Sequence, residues 1–295
     1  MAAAGTHGWK APELISQPVM SGSQNSASNS SLSGADGAPL GVRRACDIFS
    51  LGCVFFYVLT HGLHPFEDKE GWTGLRERNI KLNRYDFSPI EMYGPDTIDL
   101  IGWMLSPRPE DRPTAAQVLA HPFFWNAEDR LEFLSLASDR FDQETRDGTS
   151  DVLDALEGRA EEIIPRAPNV VTWSSIAQHK HLPNGQSGAG APAPPPPEHN
   201  FLAILDRKFT DTLGKQRKYN GAKLADLLRA LRNKHHHWDD MPDDVKAKVG
   251  EVPEGYLAYW EGKFPALVVG VWRVLREVGI AQERRFGRWF SGRGG

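Results

Sequence analysis

Residues 218 to 238 read KYNGAKLADLLRALRNKHHHW, and they hold the densest set of chemically capable side chains in the 295-residue chain. Guanidinium and amide groups donate hydrogen bonds to phosphate oxygens, and an imidazole exchanges its proton near neutral pH. No acidic residue lies between Arg229 and His237, where a carboxylate would repel a polyanion. The stretch is therefore suited to binding a phosphate and to moving protons around it.

The leucines of this stretch recur at the spacing of a helix with one buried stripe. They are Leu224, Leu227, Leu228 and Leu231. The turn signal Asn220-Gly221 is a plausible start for the helix. On a helical wheel His235 falls within the leucine stripe, so we interpret it as a partly buried core histidine. The side chains predicted to lie opposite the stripe are Arg229, Asn233, His236 and His237, with Arg232 at its edge.

Three consecutive histidines could also indicate a metal site. Adjacent residues on a helix point about 100° apart, so the three rings cannot all reach one ion. No cysteine or acidic partner stands nearby at ligand spacing, and the pattern therefore disfavours metal binding. A solvated helix end is the alternative for His236 and His237, because cationic imidazole suits a helix C-terminus. The wheel leaves open which of these two would be the functional histidine.

The order of residue types resembles the ribonuclease (KEN) domain that follows the kinase domain in the endoplasmic-reticulum stress sensor of the unfolded protein response, the inositol-requiring sensor, and that also occurs in ribonuclease L. In that family a tyrosine is followed thirteen residues later by Arg-Asn, and four residues after the Asn by the catalytic histidine. Here Tyr219, Arg232, Asn233 and His237 stand at that spacing. The resemblance is to a fungal-like member, and it selects His237 rather than His236.

The resemblance implies a metal-independent endoribonuclease for stem-loop RNA, acting in unconventional mRNA splicing. In this family the 2′-oxygen attacks the adjacent phosphorus and leaves a 2′,3′-cyclic phosphate and a 5′-hydroxyl end, so DNA is unreactive. His237 would be the general acid and Tyr219 would serve the 2′-hydroxyl, while Arg232 and Asn233 would hold the non-bridging oxygens. Residues expected to contact RNA are Lys218, Arg229, Lys234 and His236.

The first part of the chain resembles the last part of a protein kinase domain. The matching stretches are Ala11-Pro12-Glu13, the helix that starts near Asp47, the run from Pro109 to Thr114, and the run from His121 to Phe124. The resemblance implies that Asp47 anchors the backbone of the kinase catalytic loop. It also implies that Glu13 and Arg112 form a buried, bidentate ion pair.

A kinase and a passive interaction module are the alternatives to a ribonuclease. The glycine-rich loop, the strand lysine, the HRD-type loop and the DFG site are missing from this sequence, so we expect no phosphate transfer. ATP and magnesium would belong only to a full-length parent, and RNA cleavage would need no cofactor. The intact Tyr219, Arg232, Asn233 and His237 set argues against a module whose KEN helices only dimerise.

These patterns predict a mainly α-helical protein with two domains. We expect a partial kinase C-lobe over residues 1–126, with a disordered insertion at 16–41, where Ser, Asn, Gly and Ala dominate without periodicity. An all-α KEN ribonuclease domain would follow over residues 127–295, with a Pro/Gly-rich insertion at 183–198. The resemblance implies a homodimer or higher oligomer formed through both domains.

Charge and cysteine content add three expectations. Acids outnumber bases twelve to four between residues 128 and 162, but bases lead nine to three between 206 and 234, which suits RNA at one face; solvated helix faces explain the acidic run equally well. Cys46 and Cys53 lie too far apart along one helix for a disulfide. No apolar run is long enough to span a bilayer, so we expect a soluble fragment without membrane contact, on the cytosolic side of the endoplasmic reticulum in the parent.

One further expectation concerns the helix that contains Phe49, Val54, Phe55, Phe56, Val58 and Leu59. It is apolar nearly all round, which is typical of a helix buried on every side. The kinase segment that would cover part of it is missing from the sequence. We therefore predict an exposed apolar patch on this helix.

Overall fold

The computed structural model describes residues 6–15, 40–67, 73–144, 149–166, 199–214 and 218–290. Within these ranges the regular structure is helical and contains no strand, which confirms the predicted mainly α fold. The predicted insertion at 183–198 lies outside the described residues, as does most of the one predicted at 16–41. Residues 40 and 41, the last two of the insertion predicted at 16–41, are the first two of a helix that starts at Leu40.

The chain divides into two compact units, one formed by Met1–Trp125 with Ile280–Gly295 and the other by Asn126–Gly279. The break after Trp125 lies one residue from the predicted domain boundary. Residues from Ile280 onward group with the first unit, whereas the sequence placed them in the second domain. The functional domain bounds themselves stay a prediction.

The first unit is built from short helices around one long helix. Its first five α-helices are α1 (Pro12–Ile15), α2 (Leu40–Leu59), α3 (Arg76–Lys81), α4 (Pro95–Met104) and α5 (Ala115–Leu119). Single turns of 3₁₀-helix lie at Thr73–Leu75, Pro109–Asp111, Pro122–Phe124, Ile280–Gln282 and Arg284–Phe286, a longer one at Ser88–Tyr93, and a last α-helical turn at Gly287–Phe290. Helix α2 packs against α4, and buried Phe49, Phe56 and Phe66 form the centre of its core.

Helix α2 is buried on one side only. Its other face leaves Leu51, Val54, Tyr57 and Val58 between 38% and 63% exposed, which confirms the predicted apolar patch. Cys46 and Cys53 are buried free thiols, as expected, and burial raises the pKa of each to about 12. Neither thiol is therefore a reactive thiolate at neutral pH.

Glu13 and Arg112 form the predicted bidentate pair. Arg112 Nη1 donates to Glu13 Oε1 over 2.7 Å and Nη2 donates to Oε2 over 2.8 Å, and the Arg112 side chain is fully buried. The remaining donors of Arg112 reach the backbone carbonyls of Ala45, Ser106 and Pro107. All five N–H groups are thus satisfied, as a buried guanidinium requires.

The described part of the second unit is a bundle of helices that positions the stretch from 218 to 238. Its helices are α6 (Ala127–Phe141), α7 (Asp151–Glu157), α8 (Ala160–Ile163), α9 (Phe201–Ile204), α10 (Arg207–Thr210), α11 (Leu224–His236), α12 (Asp243–Val249), α13 (Glu254–Lys263) and α14 (Leu267–Glu277). Helix α11 packs against α6 and α7, and α13 and α14 also pack against α6. The helix with the chemically capable side chains therefore lies against the longest helix of the unit.

One apolar pattern of this unit extends over two helices. The spacing of Val152, Leu156, Ile163 and Ile164 is typical of a single amphipathic helix, but the chain forms α7 and α8 with a break at Gly158. Glycine is a poor residue for a helix interior, because its backbone loses the most conformational freedom. The apolar pattern still identified the buried side, since Leu156, Ile163 and Ile164 are buried.

Candidate active site

The four residues predicted to be catalytic line one surface cavity of about 900 Å³. Tyr219 comes from the turn before α11, Arg232 and Asn233 from the last turns of that helix, and His237 from the residue after its end. Other residues that line the cavity are Asp211, Thr212, Leu213, Gly214, Lys234, Asp240 and Pro242. The fold thus gathers the predicted set, while the catalytic role of each member stays a prediction.

Tyr219, Asn233 and Arg232 are joined by hydrogen bonds. The Asn233 side-chain nitrogen donates to the Tyr219 phenol oxygen over 3.1 Å. Arg232 donates to the Asn233 amide oxygen from Nε over 3.4 Å and from Nη2 over 3.2 Å. The arginine therefore fixes which end of the amide faces the phenol. Because the phenol oxygen accepts this bond, its own proton is available for a group in the cavity.

His237 is the C-cap residue of α11 and is the most solvent-accessible of the four. Its backbone N–H donates to the carbonyl of Asn233 over 3.0 Å, and its side chain is 68% exposed. Ring atom Nδ1 lies 3.0 Å from Asp240 Oδ2. When Nδ1 carries the proton shared with this carboxylate, Nε2 is the nitrogen that can meet a substrate.

The other two histidines of the run lie as the wheel predicted. His235 is partly buried, and its ring packs against Tyr256 with 5.8 Å between centroids, which confirms the interpretation as a core histidine. Burial, assisted by the neighbouring His236, lowers the pKa of His235. His236 is exposed at the end of the helix.

Arg229 does not lie where the wheel placed it. The sequence predicted exposure and RNA contact, but its side chain is 13% exposed and pairs with Asp142 and Asp226. Nη1 lies 2.9 Å from Asp226, while Nε and Nη2 donate to Asp142. Asp142 is the C-cap of α6, so the local periodicity of α11 could not reveal this packing. Its assignment to RNA binding is not supported by this position.

Of the other three residues predicted to bind RNA, one lines the cavity and two do not. Lys234 lines the cavity, and burial lowers its pKa although Asp240 acts in the opposite direction. Lys218 and His236 are exposed, but neither is among the described residues that line the cavity. Lys234 is therefore the member of the predicted set that is best placed to meet a phosphate in the site.

Acidic neighbours of Arg232 were missed by the sequence reading. Arg232 Nη1 lies 2.5 Å from Asp139 and Nη2 lies 3.0 Å from Asp142, and the arginine side chain is 11% exposed. The sequence has no acidic residue between Arg229 and His237, but in the folded chain α6 places the carboxylates of Asp139 and Asp142 against Arg232. The pair Asp226 and Arg229, three residues apart, is the one part of this arrangement that helical spacing could have indicated.

Both ends of α11 are anchored by side chains from other helices. Glu157 in α7 accepts hydrogen bonds from the backbone amides of Leu224 at 2.8 Å and Ala225 at 3.2 Å. Burial raises the pKa of Glu157, although these two hydrogen bonds act against the rise. Near the other end, the buried Tyr256 hydroxyl donates to the carbonyl of Leu231 over 2.6 Å. These contacts hold the first turn of the helix and its backbone at Leu231.

The turn that carries Tyr219 is held by two hydrogen bonds and lies close to the side chain of Asn200. The backbone amide of Asn220 donates to Asp226 Oδ2 over 2.8 Å, and the carbonyl of Gly221 accepts from the Phe201 amide over 2.8 Å. A Cβ atom at residue 221 would lie 1.8 Å from the side-chain oxygen of Asn200, so a larger residue would have to displace this side chain, which caps α9 through the Leu202 amide. The phenol therefore starts from a defined backbone position.

Among the described residues, no three His, Cys, Asp or Glu side chains are gathered in a way that could hold a metal ion. The described part of the chain also contains no helix that is both long and apolar enough to cross a bilayer.

Known proteins and protein families match both parts of this chain. Residues 191–290 match the Ribonuclease 2-5A family, and residues 1–124 match the protein kinase domain family. The chain is 40% identical to the serine/threonine-protein kinase/endoribonuclease IRE1 of Hypocrea jecorina, over 98% of this chain and 21% of the relative. It is 39% identical to ireA of Aspergillus fumigatus, which has the same description, over 98% and 24%. Identity to the sensor for unfolded proteins in the ER ire1 of Schizosaccharomyces pombe is 33%, over 98% and 23%.

The chain thus joins the later part of a protein kinase domain to a ribonuclease domain of the 2-5A type, in the predicted order. Along nearly its whole length the chain is similar to proteins named serine/threonine-protein kinase/endoribonuclease, which confirms the resemblance seen in its motifs. All three of these relatives are fungal, as the fungal-like motifs indicated. The chain spans less than a quarter of the length of each of them.

Proposed function

We propose that this chain is an endoribonuclease whose active site is the cavity lined by Tyr219, Arg232, Asn233 and His237. The observation that carries the proposal is the convergence of these four side chains, from a turn, a helix and a helix end, on one open cavity. An open cavity of about 900 Å³ suits an unpaired segment of RNA with its phosphate. The match to the ribonuclease 2-5A family supports the same activity.

The proposed reaction uses the 2′-hydroxyl of the substrate as its nucleophile. The O2′–P bond forms, the P–O5′ bond breaks, and the products are a 2′,3′-cyclic phosphate and a 5′-hydroxyl end. His237 donates a proton from Nε2 to the leaving O5′, and its exposure permits exchange with water. The phenol oxygen of Tyr219 contacts the 2′-hydroxyl, whose proton passes to solvent in the open cavity.

The charge that grows on the phosphate oxygens is stabilised by fixed donors. The Tyr219 hydroxyl and Lys234 supply them directly in this arrangement. Arg232 contributes mainly by holding Asn233, since most of its own donors face Asp139, Asp142 and the amide oxygen. This differs from the role that the resemblance implied, in which Arg232 contacts the phosphate itself.

The biological substrate proposed for the site is a stem-loop RNA cleaved during unconventional mRNA splicing in the unfolded protein response. The name of the Schizosaccharomyces pombe relative, a sensor for unfolded proteins in the ER, supports this context. In a longer parent the site would lie on the cytosolic side of the endoplasmic reticulum membrane. ATP and magnesium would serve only the kinase reaction of such a parent, and RNA cleavage would need no cofactor.

We also propose that the active form is a homodimer or a higher oligomer. The family resemblance carries this expectation, and mass action makes it measurable, because the fraction of paired chains falls on dilution. The rate of cleavage per chain should therefore fall as the protein is diluted to nanomolar concentration. A rate per chain that stays constant across the dilution series would contradict the requirement for pairing.

The proposed activity is tested by incubating the chain with a stem-loop RNA in EDTA, without ATP. We expect cleavage that leaves a cyclic phosphate end. A matched RNA with one 2′-deoxy nucleotide on the 5′ side of the cleaved bond should be bound but not cut at that bond. Cleavage of the 2′-deoxy position, or activity only when a metal ion is added, would contradict the mechanism.

A further inference from the structure

A closed ring of interactions connects the two sides of the candidate site. Beginning at Tyr219, the next residue, Asn220, donates its backbone amide to Asp226 Oδ2 over 2.8 Å. Asp226 Oδ1 accepts from Arg229 Nη1 over 2.9 Å. The other edge of the Arg229 guanidinium, formed by Nε and Nη2, binds Asp142.

The ring closes on the opposite side of the cavity. Asp142 Oδ2 lies 3.0 Å from Arg232 Nη2. The same Nη2 group donates to the Asn233 amide oxygen over 3.2 Å, and the Asn233 nitrogen donates to the Tyr219 phenol over 3.1 Å. The path therefore returns to the residue at which it began. The backbone amide of Asn220, the residue after Tyr219, is held through Arg229, and the phenol of Tyr219 is held through Arg232.

Asp142 is the member of this ring that comes from outside residues 219–233. It caps α6 at the end of that helix, and its side chain is 25% exposed. Its carboxylate is the one point at which the two arginines share a partner within the ring. An arginine held by two or more fixed carboxylates has a defined orientation, because its planar fork fits only a few arrangements of acceptors.

We propose that Asp142 is a positioning residue of the ribonuclease, which sets the orientation of Arg232 and the Tyr219 turn together. The inference rests on the proposed function and assigns no contact between Asp142 and RNA. Networks of this kind act as a unit, so the loss of the shared carboxylate should loosen both routes to the phenol. A displacement of about 1 Å in such a site lowers turnover by about 10²-fold.

Asp139 provides a matched control for the effect of charge. It lies on the same helix and pairs with Arg232 Nη1, but its side chain is 52% exposed and it is not a member of the ring. Removing either carboxylate makes the surroundings of Arg232 more positive, which favours binding of a polyanion. An equal change in RNA affinity in both variants would therefore be an effect of charge. A loss of turnover in the Asp142 variant alone would show that this carboxylate positions the site.

The experiment compares single-turnover cleavage of a stem-loop RNA by the full chain, Asp142→Asn and Asp139→Asn, with melting curves for each. We expect Asp142→Asn to lower the maximal rate by about 10- to 100-fold without weakening RNA binding. Asp139→Asn should lower it by less than about threefold, and Asp142→Glu should restore part of the loss. Asp142→Asn combined with Arg229→Ala should be little slower than the slower single variant. Equal rates for Asp142→Asn and Asp139→Asn would overturn the proposal.

A measurement without substrate separates this proposal from the proposed function. In ¹⁵N NMR spectra, the backbone amide of Asn220 and the side-chain amide of Asn233 should shift or broaden in Asp142→Asn and stay nearly unchanged in Asp139→Asn. If the wild-type chain does not cleave RNA, the proposed function fails, and these two signals still decide whether Asp142 positions the site. Unchanged signals in Asp142→Asn would rule out the positioning role whatever the activity.

Discussion

The side-chain nitrogen of Asn233 lies 3.1 Å from the phenol oxygen of Tyr219, although the two residues belong to different elements of the second unit. This contact joins two residues that lie fourteen positions apart in the sequence and that both line the candidate site. One partner sits on a turn and the other on a helix, so neither can move alone without losing the bond. Arg232 donates to the side-chain oxygen of Asn233, so the amide nitrogen faces Tyr219 and donates to the phenol oxygen.

His235 should matter for stability and not for chemistry. Its ring packs against Tyr256, so His235→Ala should lower the free energy of unfolding by about 1 to 3 kcal/mol through the cavity it leaves. Because burial lowers the pKa of His235, the unfolded state binds more protons as the pH falls below about 6.5. The stability difference between wild type and variant should therefore shrink from pH 7 to pH 5.

Urea unfolding at several pH values measures this difference, with the exposed His236→Ala as the control. The control should change stability by less than about 0.5 kcal/mol. A larger loss in His236→Ala than in His235→Ala would contradict the placement of the two rings.

The sequence identified much of this arrangement for two separate physical reasons. Helical spacing is a local property, so the leucine stripe of α11 and the burial of His235 could be predicted from residues 224–235 alone. The pair formed by Glu13 and Arg112 joins residues 99 positions apart, and only the family resemblance could indicate it. Both predictions are confirmed by the structure.

The errors share a different cause. Asp139 and Asp142 lie about ninety residues before the arginines that they bind, and no periodicity connects them. The wheel therefore treated Arg229 as a solvent-facing cation, when α6 supplies a carboxylate against it. Glu157 was missed for the same reason, because it caps α11 from α7 while the N-cap residue of α11, Lys223, supplies no side-chain cap.

Lys234 should contribute to RNA affinity through its charge. Lys234→Ala should raise the RNA dissociation constant several-fold. The slope of the logarithm of the binding constant against the logarithm of the salt concentration should become less steep by about 0.7, the value for one phosphate contact with a single strand. Titration of a labelled stem-loop RNA at a series of salt concentrations measures both quantities. Lys208→Ala is the control, because Lys208 is exposed, pairs with Asp244 and does not line the cavity. An unchanged salt dependence in Lys234→Ala would exclude the contact.

The pair between Glu13 and Arg112 should dominate the stability of the first unit. Glu13→Gln leaves a fully buried guanidinium without its carboxylate, which should cost about 3 to 5 kcal/mol. Burial alone would raise the pKa of Glu13, but hydrogen bonds from Arg112 and Cys46 outweigh it and hold the pKa below its usual range. The stability from this carboxylate is therefore present above about pH 4.3 and is lost as the pH falls through the folded pKa.

Denaturant unfolding of wild type and Glu13→Gln between pH 7 and pH 3 tests this prediction. The difference between them should be largest at neutral pH and should shrink in acid. Glu110→Gln is the control, since Glu110 is exposed on the same unit and pairs only at 3.9 Å with exposed Arg108. A difference that stays the same at every pH would contradict the assigned pKa shift.

The assignment of His237 as the proton donor is the central claim, and one comparison tests it most directly. Single-turnover cleavage of a stem-loop RNA is measured in EDTA for wild type, His237→Ala and His236→Ala, together with RNA affinity and a melting curve for each. His237→Ala should lower the rate by about 10² to 10⁴ while affinity and melting stay close to wild type. His236→Ala should cleave at nearly the wild-type rate. If His236→Ala is inactive and His237→Ala cleaves normally, the assignment of the acid is wrong.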